Sequence, residues 1–334
     1  MFRNYVLIAL RNLRKEKSSS IINISGLAIG IACSLLLGYY VQFERSYEQF
    51  HVNAENLFRV TLNQFNNGEF VVNDAETYQA LGPDLKRTFP EVIDYVRMSH
   101  WGEDHLRTTT ESFYEDLIYL SDPSVFDLFT IKFVHGDPTV NFSEPNKAVI
   151  SDRLAQRIFG DTEVIGETIL LGYYETPLMV TGVFEALPAN THLKFEMLIS
   201  HETLPRLWDW YAEYPWSGNN EYTYLLMNPG TSVEAFNQKL NQYSKVNENI
   251  ENEIVISERI GDIHLYSNKS FEPEVNGDVR IVNFMMMLGI FILLLAWVNY
   301  VNLSTAKAIN RSKEVGIRKV ICSSQLTLII QFLI

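Results

Sequence analysis

Seven histidines, two cysteines and 40 acidic side chains are the groups in this 334-residue chain that could ligate a metal or move a proton. Their spacing decides what they can do. The histidines are scattered singly, at His51, His100, His105, His135, His192, His201 and His264. Only His100 and His105 resemble a cluster, placed around Trp101 and beside Glu103 and Asp104. Imidazole and carboxylate together suit a divalent metal. The same set also reads as a solvated polar loop, which is the commoner case. No H-E-x-x-H, paired-cysteine metal site or G-x-S-x-G elbow occurs. G-x-x-x-x-G-K-[ST] is missing too, so the chain has no phosphate-cradling loop of its own. The run Trp208, Trp210, Tyr211, Tyr214 and Trp216 offers aromatic surface for a ligand, lipid or partner, or else forms local core. These residue types at these spacings therefore predict no enzyme, no metal and no cofactor held by this chain.

The elements that must position these residues divide the chain sharply. Ile21 to Val41 and Ile281 to Val301 are uncharged apolar blocks. A helix rises ~1.5 Å per residue, so each block is long enough to cross the ~30 Å hydrocarbon layer. The first lacks the small-x-small cleavage site of a signal peptide and exceeds its usual apolar length. The overall charge of −13 argues against a nucleic-acid partner but hides a segregation of sign. Residues 1–20 and 302–334 hold ten of the 27 basic side chains and two of the 40 acids. That leaves 17 basic against 38 acidic residues between them, a formal charge of about −21. Basic flanks remain cytoplasmic, which places both termini inside and residues 42–280 outside. The two cysteines, Cys33 and Cys322, lie outside the intervening domain. With no disulfide available, that domain must fold on its core alone.

Periodicity predicts a mixed α+β domain inserted between two transmembrane helices. Gln42 onward continues as helix and enters a strand over 57–64. A helix over Thr77–Phe89 is stopped by Pro90, since the residue before proline avoids the α region. Strands are expected over Glu115–Leu120, Lys147–Ile150, Pro177–Phe184 and Tyr222–Leu226. Helices over Ser151–Phe159 and Ser232–Tyr243 each open on a serine that can cap. In the first span Gly26, Gly30, Ser34 and Gly38 fall four apart, a stripe suited to close packing against another membrane helix. Residues 1–20 read as an amphipathic cytoplasmic helix, the spans as 21–41 and 281–303, and 304–325 as a separate cytoplasmic helix. Residues 326–334 read as the start of a third membrane segment that is cut short.

Several stretches resemble a known family. ALRNLRKEKSSSIINISGLAIGIA and RSYEQFHVNAENLFRV are similar to the opening of MacB/FtsX-type ABC transporter permeases. SDPSVFDLFTIKFVHGDP, EPNKAVISDRLAQRIFGDTEVIGETI and VTGVFEALPANTHLKFEMLIS resemble the family's periplasmic core domain. VNLSTAKAINRSKEVGIRKV resembles the start of the FtsX-like permease region. One departure is Cys322, where family members often carry glycine. The resemblance implies a permease subunit in a bacterial inner membrane, paired with a separate ATPase that binds the ATP. It implies a homo- or heterodimer of permease subunits, with both termini cytoplasmic. Contact with the ATPase falls on Lys313, Glu314, Val315, Gly316, Ile317, Arg318 and Lys319. A bitopic extracytoplasmic sensor is the alternative, and it predicts a signalling domain after the second span.

Overall fold

The computed structural model describes residues 17–108, 111–137 and 141–320. It divides into Glu44–Asp278 and a second unit formed by the flanking helices. In the first unit the strands are β1 (Leu57–Asn66), β2 (Glu69–Asp74), β3 (Thr77–Tyr78), β4 (Val92–His100), β5 (Asp104–Arg107), β6 (Ser112–Glu115) and β7 (Ile118–Ser121). They continue as β8 (Phe133–Gly136), β9 (Lys147–Ser151), β10 (Thr168–Leu171), β11 (Thr176–Phe184), β12 (Met197–Ser200), β13 (Asn219–Met227) and β14 (Glu253–Arg259). These strands form one mixed sheet in the order β14-β1-β13-β4-β7-β12-β9-β11-β10-β5-β6, with β2, β3 and β8 attached beside β1, β13 and β11. Among the described residues, β9/β11 and β7/β12 are the parallel strand pairs. Together with its helices this is the expected α+β domain.

The longer helices are α1 (Lys17–Arg45), α2 (Leu81–Thr88), α3 (Asp152–Phe159), α4 (Val233–Val246), α5 (Ile260–Tyr266) and α6 (Val279–Val320). Alternation along β1 sends Phe58, Val60 and Leu62 into a cluster with Leu81 and Leu85 of α2 and Phe236 and Leu240 of α4. Leu57, on the opposite face, joins Val96, Tyr119, Phe184 and Tyr224 in a second cluster. A third gathers Ile150, Val180 and Ile199 under Leu154, Ala155 and Ile158 of α3. Each buried aliphatic chain is worth roughly 1.5–3 kcal/mol of transfer free energy.

Local signals explain most boundaries. Ser151 accepts the Leu154 N–H at 2.9 Å, and Gly160 ends α3 at φ 72°. Ser232 caps α4 through the Ala235 N–H. Phe89, before Pro90, is extended and stops α2. Three expected boundaries move. α2 opens only at Leu81, because the Thr77 hydroxyl bonds Glu221 O and Thr223 Oγ1 and holds Thr77–Tyr78 against β13. The strand expected over 115–120 is broken, because the buried Glu115 carboxylate accepts the Asp116 and Leu117 N–H groups. α1 stops at Arg45, and turns fill the stretch to β1.

The second unit holds the two apolar helices. The stretches Ile21–Arg45 and Val279–Asn302 have mean hydropathies of 2.1 and 2.5, and only 6% and 17% of their apolar windows are buried. Core helices of a soluble protein would be covered, so these apolar surfaces need lipid or further helices. α6 is a single 42-residue helix that continues through 304–320, where a separate helix was expected.

Candidate functional site

The chain enters its folded domain through a buried polar cluster. Glu48 has φ 61°, a left-handed conformation unusual for a residue with a side chain. Its carboxylate is 1% exposed. It accepts the His192 N–H at 2.5 Å, His192 Nδ1 at 2.8 Å, the Thr191 hydroxyl at 3.1 Å and His51 Nε2 at 3.1 Å. His51 Nδ1 accepts the Thr130 N–H at 3.0 Å, which fixes the His51 proton on Nε2. The far nitrogen of His192 meets the Tyr224 hydroxyl at 2.8 Å. Asn190 completes the grip by donating to Ser46 O at 2.9 Å and accepting the Glu48 N–H at 3.1 Å. Burial pushes the Glu48 carboxyl up, but the charge and hydrogen bonds of His192 and the bond from His51 outweigh it and hold it at about 2. Glu48 therefore remains ionised.

The exit segment is held in a similar way. Arg59 points away from the apolar face of β1 and is fully buried. It donates to Glu258 at 2.7 and 3.0 Å, to Ser267 at 3.0 Å and to both oxygens of Glu272. Lys194 pairs with Glu274 at 2.8 Å, and Asn276 donates to Ser267 O at 3.0 Å. Glu44, in the last turn of α1, meets His264 Nε2 at 2.8 Å, and Tyr47 stacks on that imidazole at 3.4 Å. A Cβ on Gly277 would stand 2.9 Å from both Glu44 Oε2 and His264 Nε2. A larger residue there would push against the Glu44–His264 pair. None of this was expected from sequence. Glu48 and His192 lie in stretches that carry the family resemblance, which is the signal that could have singled them out.

Within the helical unit, three of the four small residues of α1 face α6. A Cβ on Gly30 would lie 2.6 Å from Ala296 Cβ, and one on Gly26 would lie 3.5 Å from Asn299 Nδ2. Ser34 donates to Gly289 O at 2.9 Å, sharing its proton with Gly30 O at 2.8 Å. Gly38 meets nothing within 4 Å. Gly289, Ala296 and Asn299 complete this seam, and no local spacing marks them. The backbone of Lys313, Glu314, Val315, Gly316, Ile317, Arg318 and Lys319 lies in α6, while their side chains fall outside the described residues. Residues 1–16 and 321–334, including Cys322 and the expected third segment, also fall outside them.

His100 and His105 do not converge on one point. His100 Nε2 bonds Asp116 O at 3.1 Å, while His105 packs edge-on against Tyr114. No group of three His, Cys, Asp or Glu side chains suited to a metal occurs among the described residues. The aromatic run splits in two. Tyr211 is buried against His201 and Glu221, whereas Trp208, Trp210 and Tyr214 are 40%, 46% and 55% exposed.

The α+β domain has known counterparts. The profile of the MacB-like periplasmic core domain family matches residues 20–243. The chain belongs to that family. This MacB-like chain also shares its fold with a domain assigned as a permease from Porphyromonas gingivalis, at 16% identity and a TM-score of 0.54. That match covers 71% of this chain and 99% of the other. The periplasmic region of MacB from Actinobacillus actinomycetemcomitans matches at 13% identity and a TM-score of 0.44, covering 61% and 89%. The extracellular domain of the noncanonic ABC-type transporter YknZ, from Gram-positive bacteria, matches at 16% identity and a TM-score of 0.42, covering 60% and 100%. No curated protein sequence matches the chain. The MacB-like family consists of ABC transporter permease components, which are not enzymes, and a periplasmic-type domain between two apolar helices fits an inner-membrane protein.

Proposed function

We propose that this MacB-like chain is the permease subunit of an inner-membrane ABC complex and carries ATP-driven motion from a separate ATPase to its external domain. The observation that carries the reading is α6, unbroken over 42 residues. At ~1.5 Å per residue such a helix is about 63 Å long, roughly twice the hydrocarbon thickness. It begins at Val279, just after the clamped exit segment, and includes the backbone of Lys313–Lys319. One stiff element can thus report movement at a cytoplasmic contact to the domain outside. Both termini are cytoplasmic in this reading, because ten cationic residues flank the spans. Val315 and Ile317 insert into the ATPase, and Lys313, Glu314, Arg318 and Lys319 orient the contact. ATP belongs to the partner subunit. Gly26, Gly30 and Ser34 pack the span against α6, and the permease subunit pairs as a homo- or heterodimer. The work done outside is export or the handling of envelope proteins.

The test is co-purification of the full-length protein from membranes with the products of neighbouring genes, comparing wild type with Glu314→Lys and Gly316→Trp. An ATPase that accompanies wild type and is lost with either substitution, at unchanged membrane level, is the expected result. Failure of any ATPase to associate under crosslinking would overturn the reading.

A further inference from the structure

Four aromatic side chains of the domain, Trp101, Tyr173, Tyr174 and Trp208, line a groove of about 560 Å³. This is within the ~300–1,000 Å³ range of small-molecule sites. Trp101 and Trp208 stack at 5.4 Å with 16° between planes, and Trp210 extends the ladder at 6.3 Å. Across from them, on the turn between β10 and β11, Tyr173 and Tyr174 are 91% and 86% exposed. Leaving so much ring surface wet is costly unless something covers it. The rim is polar and carries both signs of charge, with Glu103 and Asp104 facing the same space as Arg206. Asp104 is fixed, accepting Trp101 Nε1 at 2.8 Å and the His105 N–H at 2.7 Å. Gly172 lies so close that a Cβ there would reach within 2.5 Å of Asp104 Oδ2. Glu103 accepts the Tyr114 hydroxyl.

We propose that this groove binds a neutral β-linked oligosaccharide. Flat indole and phenol faces match the apolar C–H faces of pyranose rings. The carboxylates accept hydrogen bonds from sugar hydroxyls, and the Arg206 guanidinium and Thr176 hydroxyl donate to sugar oxygens. A cation at the rim meets Arg206, and an anion meets Glu103 and Asp104. A polyhydroxylated neutral chain satisfies all of them at once. The inference does not depend on coupling to an ATPase.

The test uses the full chain in lipid nanodiscs, which avoids glycoside detergents, and follows tryptophan fluorescence. Two of the chain's five tryptophans line the groove and a third stacks on one of them, so the fluorescence responds to occupancy of the site. The probes are cellotetraose and chitotetraose, with tetramethylammonium and tetragalacturonate as charged controls. A saturable shift with either neutral tetrasaccharide is expected. Trp208→Ala and Tyr174→Ala should each weaken it about tenfold or more. Tyr174 is too exposed for its removal to unfold the domain, so loss of binding there reports the site. The proposal is overturned if neither sugar gives a saturable change below about 10 mM. It is also overturned if both variants bind like wild type, or if a charged control binds in place of the sugars.

Discussion

Replacing Glu48 by glutamine should loosen the external domain, by an amount the structure allows to be worked out. The carboxyl is held at about 2, against an ordinary value of 4.5. At roughly 1.4 kcal/mol per pH unit, the ionised group stabilises the fold by about 3 kcal/mol. Breaking a buried ionic cluster by removing one member costs a similar amount, ~3–5 kcal/mol. For a domain of this size each kcal/mol moves the thermal midpoint by about 2–4 °C, so Glu48→Gln should lower it by roughly 6–12 °C at neutral pH. The pH dependence has a definite sign. A carboxyl depressed in the fold contributes fully above its unfolded value and loses that contribution as pH falls through its folded value. The deficit of Glu48→Gln should therefore be nearly complete at pH ~5 and shrink to about half or less by pH 3. Backbone strain is separable from charge. Glycine accepts φ 61° without penalty, so Glu48→Gly should be more stable than Glu48→Ala by about 1 kcal/mol. Calorimetry of the full chain in nanodiscs measures all three variants. A midpoint within about 2 °C of wild type at neutral pH, or a deficit unchanged at pH 3, would falsify the assignment.

Other substitutions test the remaining features. Arg59→Met leaves the half-buried Glu272 without its cation and Glu258 with Lys269 alone, and should cost about 3–5 kcal/mol in urea unfolding, part of which returns when both acids are also made glutamine. Glu76 is pushed up to about 7 by burial first, then by the charges of Asp74 and Glu221. Its protonated form suits the fold, so wild type should lose stability as pH rises from about 4.5 through 7. Discounted for the solvent it still sees, that makes Glu76→Gln roughly 1–2 kcal/mol more stable than wild type at pH 8, and no different at pH 4.5. In the helical unit Gly30→Leu drives a side chain into Ala296 and should cut disulfide crosslinking between Ser34→Cys and Gly289→Cys, in a Cys33→Ser background, several-fold. Gly38→Leu, which meets open space, should leave the yield unchanged.

Much of the fold was legible because local rules carried it. Ser151 and Gly160 bracket α3, Pro90 ends α2, and uncharged runs mark both apolar helices. Where a side chain overrides its own segment, the reading slipped. The Thr77 hydroxyl recruits its residue into the sheet, and the Glu115 carboxylate splits one strand into two. The small residues of α1 were readable as a stripe, but which of them meets α6 depends on Gly289 and Ala296, more than 250 positions away. The clamps were least legible of all. Glu48 and His192 are 144 residues apart, and nothing in the surroundings of either reveals the other.

That arrangement suits the proposed mechanics. With no cysteine in residues 42–280, neither junction can be locked by a disulfide, and apolar packing alone slides easily because it is not directional. A buried ionised cluster is expensive to break and accepts one geometry. At the entry, Glu48 binds four donors from three side chains and one backbone amide. At the exit, Arg59 engages both carboxylate oxygens of Glu272 in the planar fork geometry a guanidinium requires. In the proposed coupling, a force carried along either helix would reach a directional anchor ahead of the apolar core. Because Glu48 stays charged well below neutral pH, its anchor holds through mild acidification of the space outside the membrane.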